Sequence, residues 1–138
     1  MRISCNIDGL DIGLIHQFLS EQSSWAKGIS LELVSKSLHN SLCFGGFVDD
    51  KQVCFARVIS DYATFANLVD VFVLPEHRGK GYSKLLMQAI MAHPQLQGLR
   101  RFTLATVDAH SLYSQFGFSA PHKPDTLMER YFPDIYTY

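Results

Sequence analysis

The spacing of hydrophobic positions divides this chain into short strands and amphipathic helices. Residues 3–7 are predicted to form a first strand. Two helices follow Asp11 and Ser30, which are good N-cap residues, because apolar side chains then recur on one helical face. Residues 42–48 and 52–60 are predicted to form a β-hairpin across a turn of three polar residues. The N-terminal half is therefore a strand, two helices and a hairpin.

The next segment is a long apolar strand that runs directly into a glycine-bearing loop and a helix. Residues 66–74 are apolar and partly β-branched, Pro75 ends the strand, and residues 82–92 place apolar side chains on one helical face. Around the start of that helix lie two glycines and three cations: Arg78, Gly79, Lys80, Gly81 and Lys84. The first amides of a helix lack partners and carry the positive end of its dipole, and glycine lets a ligand approach them. This arrangement predicts a phosphate-binding loop.

The order of residues in the loop separates it from other phosphate loops. It lacks the G-x-x-x-x-G-K-[ST] order of a P-loop and the G-x-G-x-x-G order of a dinucleotide fold. Residues 78–83 instead resemble the Q/R-x-x-G-x-G/A signature of the GNAT N-acetyltransferase superfamily, with Ser83 at the usual glycine or alanine. Serine is small, so we expect close approach to the backbone to survive. A basic helix cap without a ligand is the alternative.

A second segment resembles the same family. Residues 101–106 are predicted to form a strand, and residues 108–118 match the element A-x-x-L-Y-x-x-x-G-F, a short helix closed by a glycine. Asp108 is a good N-cap residue and Gly117 a good C′ residue. Many family members carry asparagine where this chain has Thr106, which weakens one expected contact to the pantetheine arm. The two segments cover roughly residues 66–118.

The resemblance implies the GNAT acyl-CoA N-acyltransferase fold, an α/β (α+β) fold with a mixed, mostly antiparallel central sheet flanked by helices. Its element order is β-α-α-β-β-β-α-β-α-β, and the last strand is expected in the tyrosine-rich residues 127–138. With 138 residues, of which 47% are hydrophobic, the chain is long enough for one core. We therefore expect a single domain over residues 1–138.

The resemblance also implies acetyl-CoA as co-substrate. Its pyrophosphate is expected on the loop amides, and its pantetheine arm beside the preceding strand; the residues concerned are Phe72, Val73, Leu74, Arg78, Gly79, Lys80, Gly81, Tyr82 and Ser83. A strand N–H on the thioester oxygen would stabilise the oxyanion of the tetrahedral intermediate, an effect of ~3 kcal/mol. The implied reaction is direct attack by a primary amine in a ternary complex. A small-molecule amine is favoured, and a peptide or protein amine stays open.

Two residues are candidates for proton transfer. Tyr113 occupies the tyrosine position of the family element, where resemblance implies a general acid for the leaving thiolate; packing under the helix is the alternative. Asp70 lies inside the apolar strand, and a buried carboxylate needs a partner or a cavity. It is a candidate base, with a salt bridge or a capped turn on the opposite face of the sheet as the alternative. Asp61 and His110 are further candidates for the base.

The acceptor pocket is expected between the loop of the first two helices and the turn at residues 61–65. Its aromatic candidates are Trp25, Tyr62 and Phe65, which suit an amine by cation–π contact or an aromatic substrate by stacking. Each of them could equally seal the core. The candidate substrate residues are therefore Trp25, Asp61, Tyr62 and His110.

Composition narrows the class of protein. A net charge of −1 and a pI near 6.6 do not favour nucleic acid as a partner. No run reaches the ~18 apolar residues that span a bilayer, and no signal peptide is evident, so no membrane partner is expected. Three scattered cysteines are typical of reduced thiols in a cytoplasmic protein, and six histidines without ligand spacing argue against a metal.

Three questions stay open at the level of sequence. A non-catalytic sensor of acyl-CoA and a nucleotide-binding domain would use the same loop. The aromatic residues of the C-terminal tail, Tyr131, Phe132, Tyr136 and Tyr138, suit a homodimer or a tail folded on its own sheet. No motif in the sequence indicates which amine is the acceptor.

Overall fold

The computed structural model describes residues 1–137, and its centre is a five-stranded sheet with the strands in sequence order. The strands are β1 (Arg2–Ser4), β2 (Leu42–Val48), β3 (Lys51–Ser60), β4 (Phe65–Val73) and β5 (Arg101–Leu104). Neighbouring strands are antiparallel from β1 to β4, and β5 is parallel to β4. The mixed, mostly antiparallel sheet predicted from the sequence is confirmed.

Four α-helices within residues 1–137 connect and cover these strands. They are α1 (Ile12–Gln17), α2 (Leu31–His39), α3 (Tyr82–Ala92) and α4 (His110–Ser114). Asp11 and Ser30 cap α1 and α2 as predicted, since their side chains accept hydrogen bonds from the amides of Leu14 at 3.1 Å and Leu33 at 3.2 Å. Within residues 1–137, no helix has the length and hydropathy needed to cross a membrane.

The two faces of the sheet carry separate apolar clusters. On the side of α1 and α2, Phe72 stacks on Phe18 with ring centroids 4.0 Å apart and packs against Phe55. On the other side, Leu86 and Ile90 of α3 are fully buried against the sheet. Because each face is covered by helices, a side chain's direction along β4 decides which layer it enters.

Part of β4 also has an open edge. β5 pairs with only the first part of β4, from Phe65–Arg101 to Leu68–Leu104. β4 continues to Val73, and within residues 1–137 no strand pairs with residues 69–73 on that side. Backbone groups on that stretch therefore face a gap between the two strands, in which an extended ligand can pair as a strand does.

Two predicted elements differ in the structure. The first strand is shorter than expected, because the Asn6 side chain accepts a hydrogen bond from the Asp8 amide at 3.1 Å and starts a 3₁₀ turn. The final strand expected in residues 127–138 is wrong for the described part of that range, which is irregular apart from a turn at residues 133–136. Pro133 explains this, because it removes an amide donor in the middle of the tyrosine-rich segment. Tyr138 lies outside the described residues.

Candidate active site

The glycine loop lies directly before α3. Gly79 and Gly81 have φ values of +77° and +78°, and a Cβ at either residue would meet no atom within 4 Å. Gly81 is the N-cap of this 11-residue helix, and no side chain in residues 1–137 caps it. The first amides of α3 thus face open space at the positive end of the helix dipole, which is the geometry that holds an anion.

The open edge of β4 exposes one of the three backbone positions expected to contact the pantetheine arm. The Leu74 amide donates to the Val53 carbonyl at 2.9 Å, so Leu74 and, by alternation, Phe72 face β3. Val73 then faces the gap. Its carbonyl accepts a hydrogen bond from Nε of Arg78 at 3.0 Å, which ties the glycine loop to the strand. The Val73 N–H is left as the donor toward the gap.

A β-bulge in β4 sets the direction of Asp70. Phe72 pairs with Phe55 and Val69 pairs with Arg57, so β4 holds one residue more than β3 between these pairs. Asp70 has a φ of +55°, a conformation that aspartate tolerates better than most residues. Strict alternation would have pointed residue 70 toward α3. The bulge moves its side chain to the α1 and α2 face instead.

On that face the Asp70 carboxylate is held by two side chains. The indole Nε1 of Trp25 donates to one oxygen at 2.8 Å, and Nε of Arg57 donates to the other at 2.9 Å. The ion pair is mostly buried, with side-chain exposures of 14% for Arg57 and 10% for Asp70. A second nitrogen of Arg57 donates to the Ser41 hydroxyl at 2.9 Å. Each carboxylate oxygen keeps a further lone pair for a ligand.

A cavity of about 540 Å³ opens beside this carboxylate. Its wall combines the Asp70 ion pair with side chains of the α1–α2 loop, α2 and the C-terminal tail; the most informative are Trp25, Ile29, Leu33, Lys36, Arg57 and Tyr136. Two of the predicted residues, Trp25 and Asp70, therefore meet at one cavity. Its size suits a small molecule better than a folded partner.

Tyr113 and His110 line a different cavity. It has a volume of about 700 Å³ and lies among β5, α4 and residues 118–127. Tyr113 is 8% exposed, and burial, assisted by the Asp108 charge, raises the pKa of its phenol. Its hydroxyl is therefore protonated at neutral pH. The structure does not bring Tyr113 and Asp70 to the walls of one cavity.

Asp61 and Tyr62 belong to an exposed turn. The Asp61 carboxylate accepts hydrogen bonds from the Thr64 hydroxyl and from the amides of Ala63, Thr64 and Phe65 at 2.6–3.1 Å. These bonds, the Thr64 hydroxyl first, hold the pKa of the carboxyl well below its usual range. Asp61 therefore organises the turn, and neither residue lines the cavity beside Asp70.

Sequence reasoning missed Arg57 and Tyr136. A signal for Arg57 exists, because it is a charged residue in the apolar run 52–60 just as Asp70 is in the run 66–74. Because a buried charge needs a partner, opposite charges in two adjacent buried strands predict an ion pair between them. No such local signal points Tyr136 toward the cavity, because its place depends on the path of the whole tail.

The cysteines and histidines provide no metal site in the part of the chain that the structure describes, where no group of three or more metal-binding side chains converges. Cys5, Cys43 and Cys54 are free thiols. Burial raises the pKa of Cys43 to about 12 and that of Cys54 to about 11. Both buried thiols are protonated at neutral pH and pack as small apolar side chains.

Comparison with known proteins identifies a family for this geometry. The model of the acetyltransferase (GNAT) domain matches residues 39–120, more than half of the chain. A protein of Gibberella zeae that is named as an acetyltransferase is 31% identical over 128 residues, covering 77% of this chain and 71% of that protein.

Solved structures agree with the family match. A crystal structure from Xanthomonas campestris pv. campestris, described as an acetyltransferase of the GNAT family, is 64% identical, with a TM-score of 0.97 over 99% of this chain and 96% of that chain. Glucosamine-6-phosphate N-acetyltransferase from Arabidopsis thaliana is 18% identical, with a TM-score of 0.65 over 95% of this chain and 97% of that chain. The second similarity is one of fold alone.

The buried ion pair gives a testable stability difference. Asp70→Asn keeps the shape of the side chain and tolerates the positive φ, but it leaves the Arg57 guanidinium without its counter-charge. We expect a loss of about 2–3 kcal/mol in the free energy of unfolding, measured by urea denaturation.

The matched control is Asp50→Asn. Asp50 also has a positive φ, +62°, and pairs with Arg2 at 3.9 Å, but its side chain is 98% exposed. We expect no measurable change in stability for this variant, because exposed ion pairs contribute little. Equal effects of the two substitutions would contradict a structural role for the Asp70 ion pair.

Proposed function

Since the chain belongs to the GNAT acetyltransferase family, we propose that it transfers the acetyl group of acetyl-CoA to a primary amine of a small molecule. The observation that carries this proposal is the position of the Asp70 bulge. The bulge lies in β4, whose open edge runs to the glycine loop. The Asp70 side chain lies at a separate cavity, on the α1 and α2 face of the sheet. The donor and the acceptor can therefore approach the same stretch of β4 from two sides.

For the donor, we assign the pyrophosphate to the first amides of α3 and the pantetheine arm to the gap beside Val73. Support comes from the open space around Gly79 and Gly81, and from the exposed Lys80 and Lys84 nearby. Residues 78–83 form the phosphate-binding part of this site, in which Arg78 acts through its bond to the Val73 carbonyl. The thioester would then lie near the bulge.

The chemistry follows from these positions. An alkyl ammonium with a pKa of about 10.4 must lose a proton before it can attack. Asp70 is the proposed base, through the lone pairs that Trp25 and Arg57 leave unused. The amine nitrogen then bonds to the thioester carbon, and the resulting oxyanion accepts a hydrogen bond from the Val73 N–H. Collapse breaks the carbon–sulfur bond, and the thiolate takes a proton for which Tyr113 is the proposed donor. The nitrogen then loses its second proton, which returns to the Tyr113 phenolate and leaves a neutral amide.

Two other functions make different predictions. A non-catalytic acyl-CoA sensor would bind CoA and release no thiol with any amine. A protein or peptide acetyltransferase would need the cavity beside Asp70 to admit a chain terminus or a lysine, whereas its volume of about 540 Å³ favours a small amine. Thiol release from acetyl-CoA across small amines and N-terminal peptides distinguishes all three functions.

We also propose a cytoplasmic setting and a homodimer. The free thiols support a reducing compartment. For the dimer, the middle of the C-terminal tail carries exposed apolar side chains, with Met128 97%, Tyr131 69% and Phe132 56% exposed. In residues 1–137 no strand covers the outer edge of β5. A second copy of the chain would bury both surfaces.

A substitution in the glycine loop tests the donor site. Gly81→Ala places a side chain at a φ of +78°, which strains the amides that would contact the pyrophosphate. We expect the KM for acetyl-CoA to rise about tenfold, equivalent to about 1.4 kcal/mol of lost binding, with little change in the KM for the amine.

Gly98→Ala is the matched control, because Gly98 has a φ of +72° and equally open surroundings but lies outside the loop. It should carry a similar cost in stability and leave the KM for acetyl-CoA unchanged. If both variants raise that KM alike, general strain explains the effect and the loop assignment fails.

Replacement of the tyrosine tests the acid. Tyr113→Phe should lower kcat about 100-fold with little change in either KM, because only proton donation to the thiolate is lost. Because burial and the Asp108 charge raise the pKa of Tyr113, its ionisation should depress the wild-type rate only at a more alkaline pH than an ordinary phenol would. Steady-state thiol release measures both, and Tyr131→Phe, at an exposed tyrosine, is the control. An unchanged kcat for Tyr113→Phe would remove Tyr113 from the mechanism.

Light scattering tests the dimer. The wild-type protein should have twice the chain mass of 15.6 kDa, and Met128→Asp should shift it toward that mass. Val107→Asp is the control, because Val107 is also 97% exposed but lies outside the tail. A wild-type protein at the mass of a single chain would refute the homodimer.

A further inference from the structure

The end of the C-terminal tail returns to the cavity beside Asp70. Tyr136 lines this cavity although it lies sixteen positions beyond residue 120, where the match to the family domain ends. The backbone carbonyl of Tyr136 lies 2.6 Å from the position that a Cβ at residue 28 would take. Gly28 also has a φ of +84°, so glycine is required there for both space and conformation. The tail and the α1–α2 loop are therefore fitted to each other.

Hydrogen bonds hold the loop that receives the tail. The buried Ser23 hydroxyl donates to the Leu19 carbonyl at 2.6 Å and accepts from the Ala26 amide at 3.0 Å. The Gly28 amide donates to the Ser20 carbonyl at 3.0 Å. Trp25, between these anchors, is fixed at its indole nitrogen by Asp70. Trp25 is thus a fixed aromatic wall beside the candidate base.

Local turns hold the end of the tail as well. The Thr137 amide and hydroxyl both donate to the Asp134 carbonyl at 3.1 Å, and the Ile135 amide donates to the Phe132 carbonyl at 3.2 Å. These bonds enclose Tyr136 in a turn. Because Tyr136 lines the cavity, the tail contributes an aromatic residue to its wall.

The polar side chains of the cavity are largely engaged within the protein. The Ser37 hydroxyl donates to the Val34 carbonyl at 2.7 Å, and the Asn40 amide donates to the Lys36 carbonyl at 2.9 Å. Arg57 uses two of its nitrogens on Asp70 and Ser41. Recognition of a highly polar acceptor would need many free donors and acceptors, and this wall offers few of them.

The rest of the wall consists of the exposed Lys36 and of apolar or aromatic residues, which are Trp25, Ala26, Ile29, Leu33 and Tyr136. A carboxylate lies beside it. An amine with a flat apolar body matches this combination, because its nitrogen can meet Asp70 while its body packs on the two rings.

We propose that the C-terminal segment is a specificity element of the acceptor site, and that Tyr136 and Trp25 together select a primary amine with an aromatic body. The kinetic test of this inference rests on the proposed function. It also makes a prediction about binding that does not depend on acetyl transfer.

The binding test uses Trp25, which is the only tryptophan in the sequence. Its fluorescence reports directly on occupancy of the cavity. Titration of the full chain with phenethylamine should change this fluorescence with a Kd at least tenfold lower than titration with n-butylamine or spermidine. Tyr136→Ala should remove the preference, and Tyr136→Phe should retain it. Equal affinities for the three amines in the wild-type protein would overturn the inference.

The kinetic test separates binding from chemistry. With phenethylamine as acceptor, Tyr136→Ala should raise the KM for the amine about tenfold and leave kcat and the KM for acetyl-CoA unchanged. Gly28→Ala should act in the same direction, because it displaces the Tyr136 carbonyl without removing either ring. Ile135→Ala is the control, since Ile135 is an exposed neighbour that does not line the cavity.

The two proposals fail in different ways. If amines release thiol but Tyr136→Ala and Gly28→Ala leave the KM for phenethylamine unchanged, the tail is not a specificity element and the acetyltransferase function stands. If no amine releases thiol, the proposed function fails. The fluorescence preference for phenethylamine and its loss in Tyr136→Ala then decide the inference about the cavity.

Discussion

The contact between Asp70 and Arg57 is the constraint on which the candidate site depends. A carboxylate cannot stay inside an apolar strand without a partner, and Arg57 on the neighbouring strand supplies it at 2.9 Å. The bulge in β4 is what makes this contact available, because it turns Asp70 away from the α3 core. Trp25 then binds the same carboxylate, so one charge fixes the direction of a strand and the position of a loop.

The same strand also organises the donor side. Where β5 ends, no strand within residues 1–137 pairs with residues 69–73 on that side, and Arg78 reaches back from the glycine loop to the Val73 carbonyl. That bond links the backbone at the open edge to the amides at the start of α3. A cofactor with a phosphate at one end and an extended arm at the other can thus meet two parts of one rigid unit. This agrees with membership of the GNAT family.

Local chemistry made much of this predictable from the sequence. Asp11 and Ser30 mark helix starts, and Gly79 and Gly81 occupy positive φ as the loop requires. The side of the sheet on which the Asp70 side chain lies was not predictable. A single extra residue in β4 reverses the direction of a side chain, and no turn residue in the sequence marks the bulge. The predicted final strand failed at Pro133, where composition suggested a strand but the backbone lacks a donor.

The division between predictable and unpredictable parts has a functional meaning. The donor geometry lies within residues 39–120, which match the family domain, and it depends on backbone amides that many sequences can provide. The cavity beside Asp70 also draws on Trp25 before that range and Tyr136 after it. Substitutions in these outer segments can change the wall of the cavity while leaving the loop, the open edge and the ion pair intact. Under the proposed function, the acceptor can therefore vary independently of acetyl-CoA.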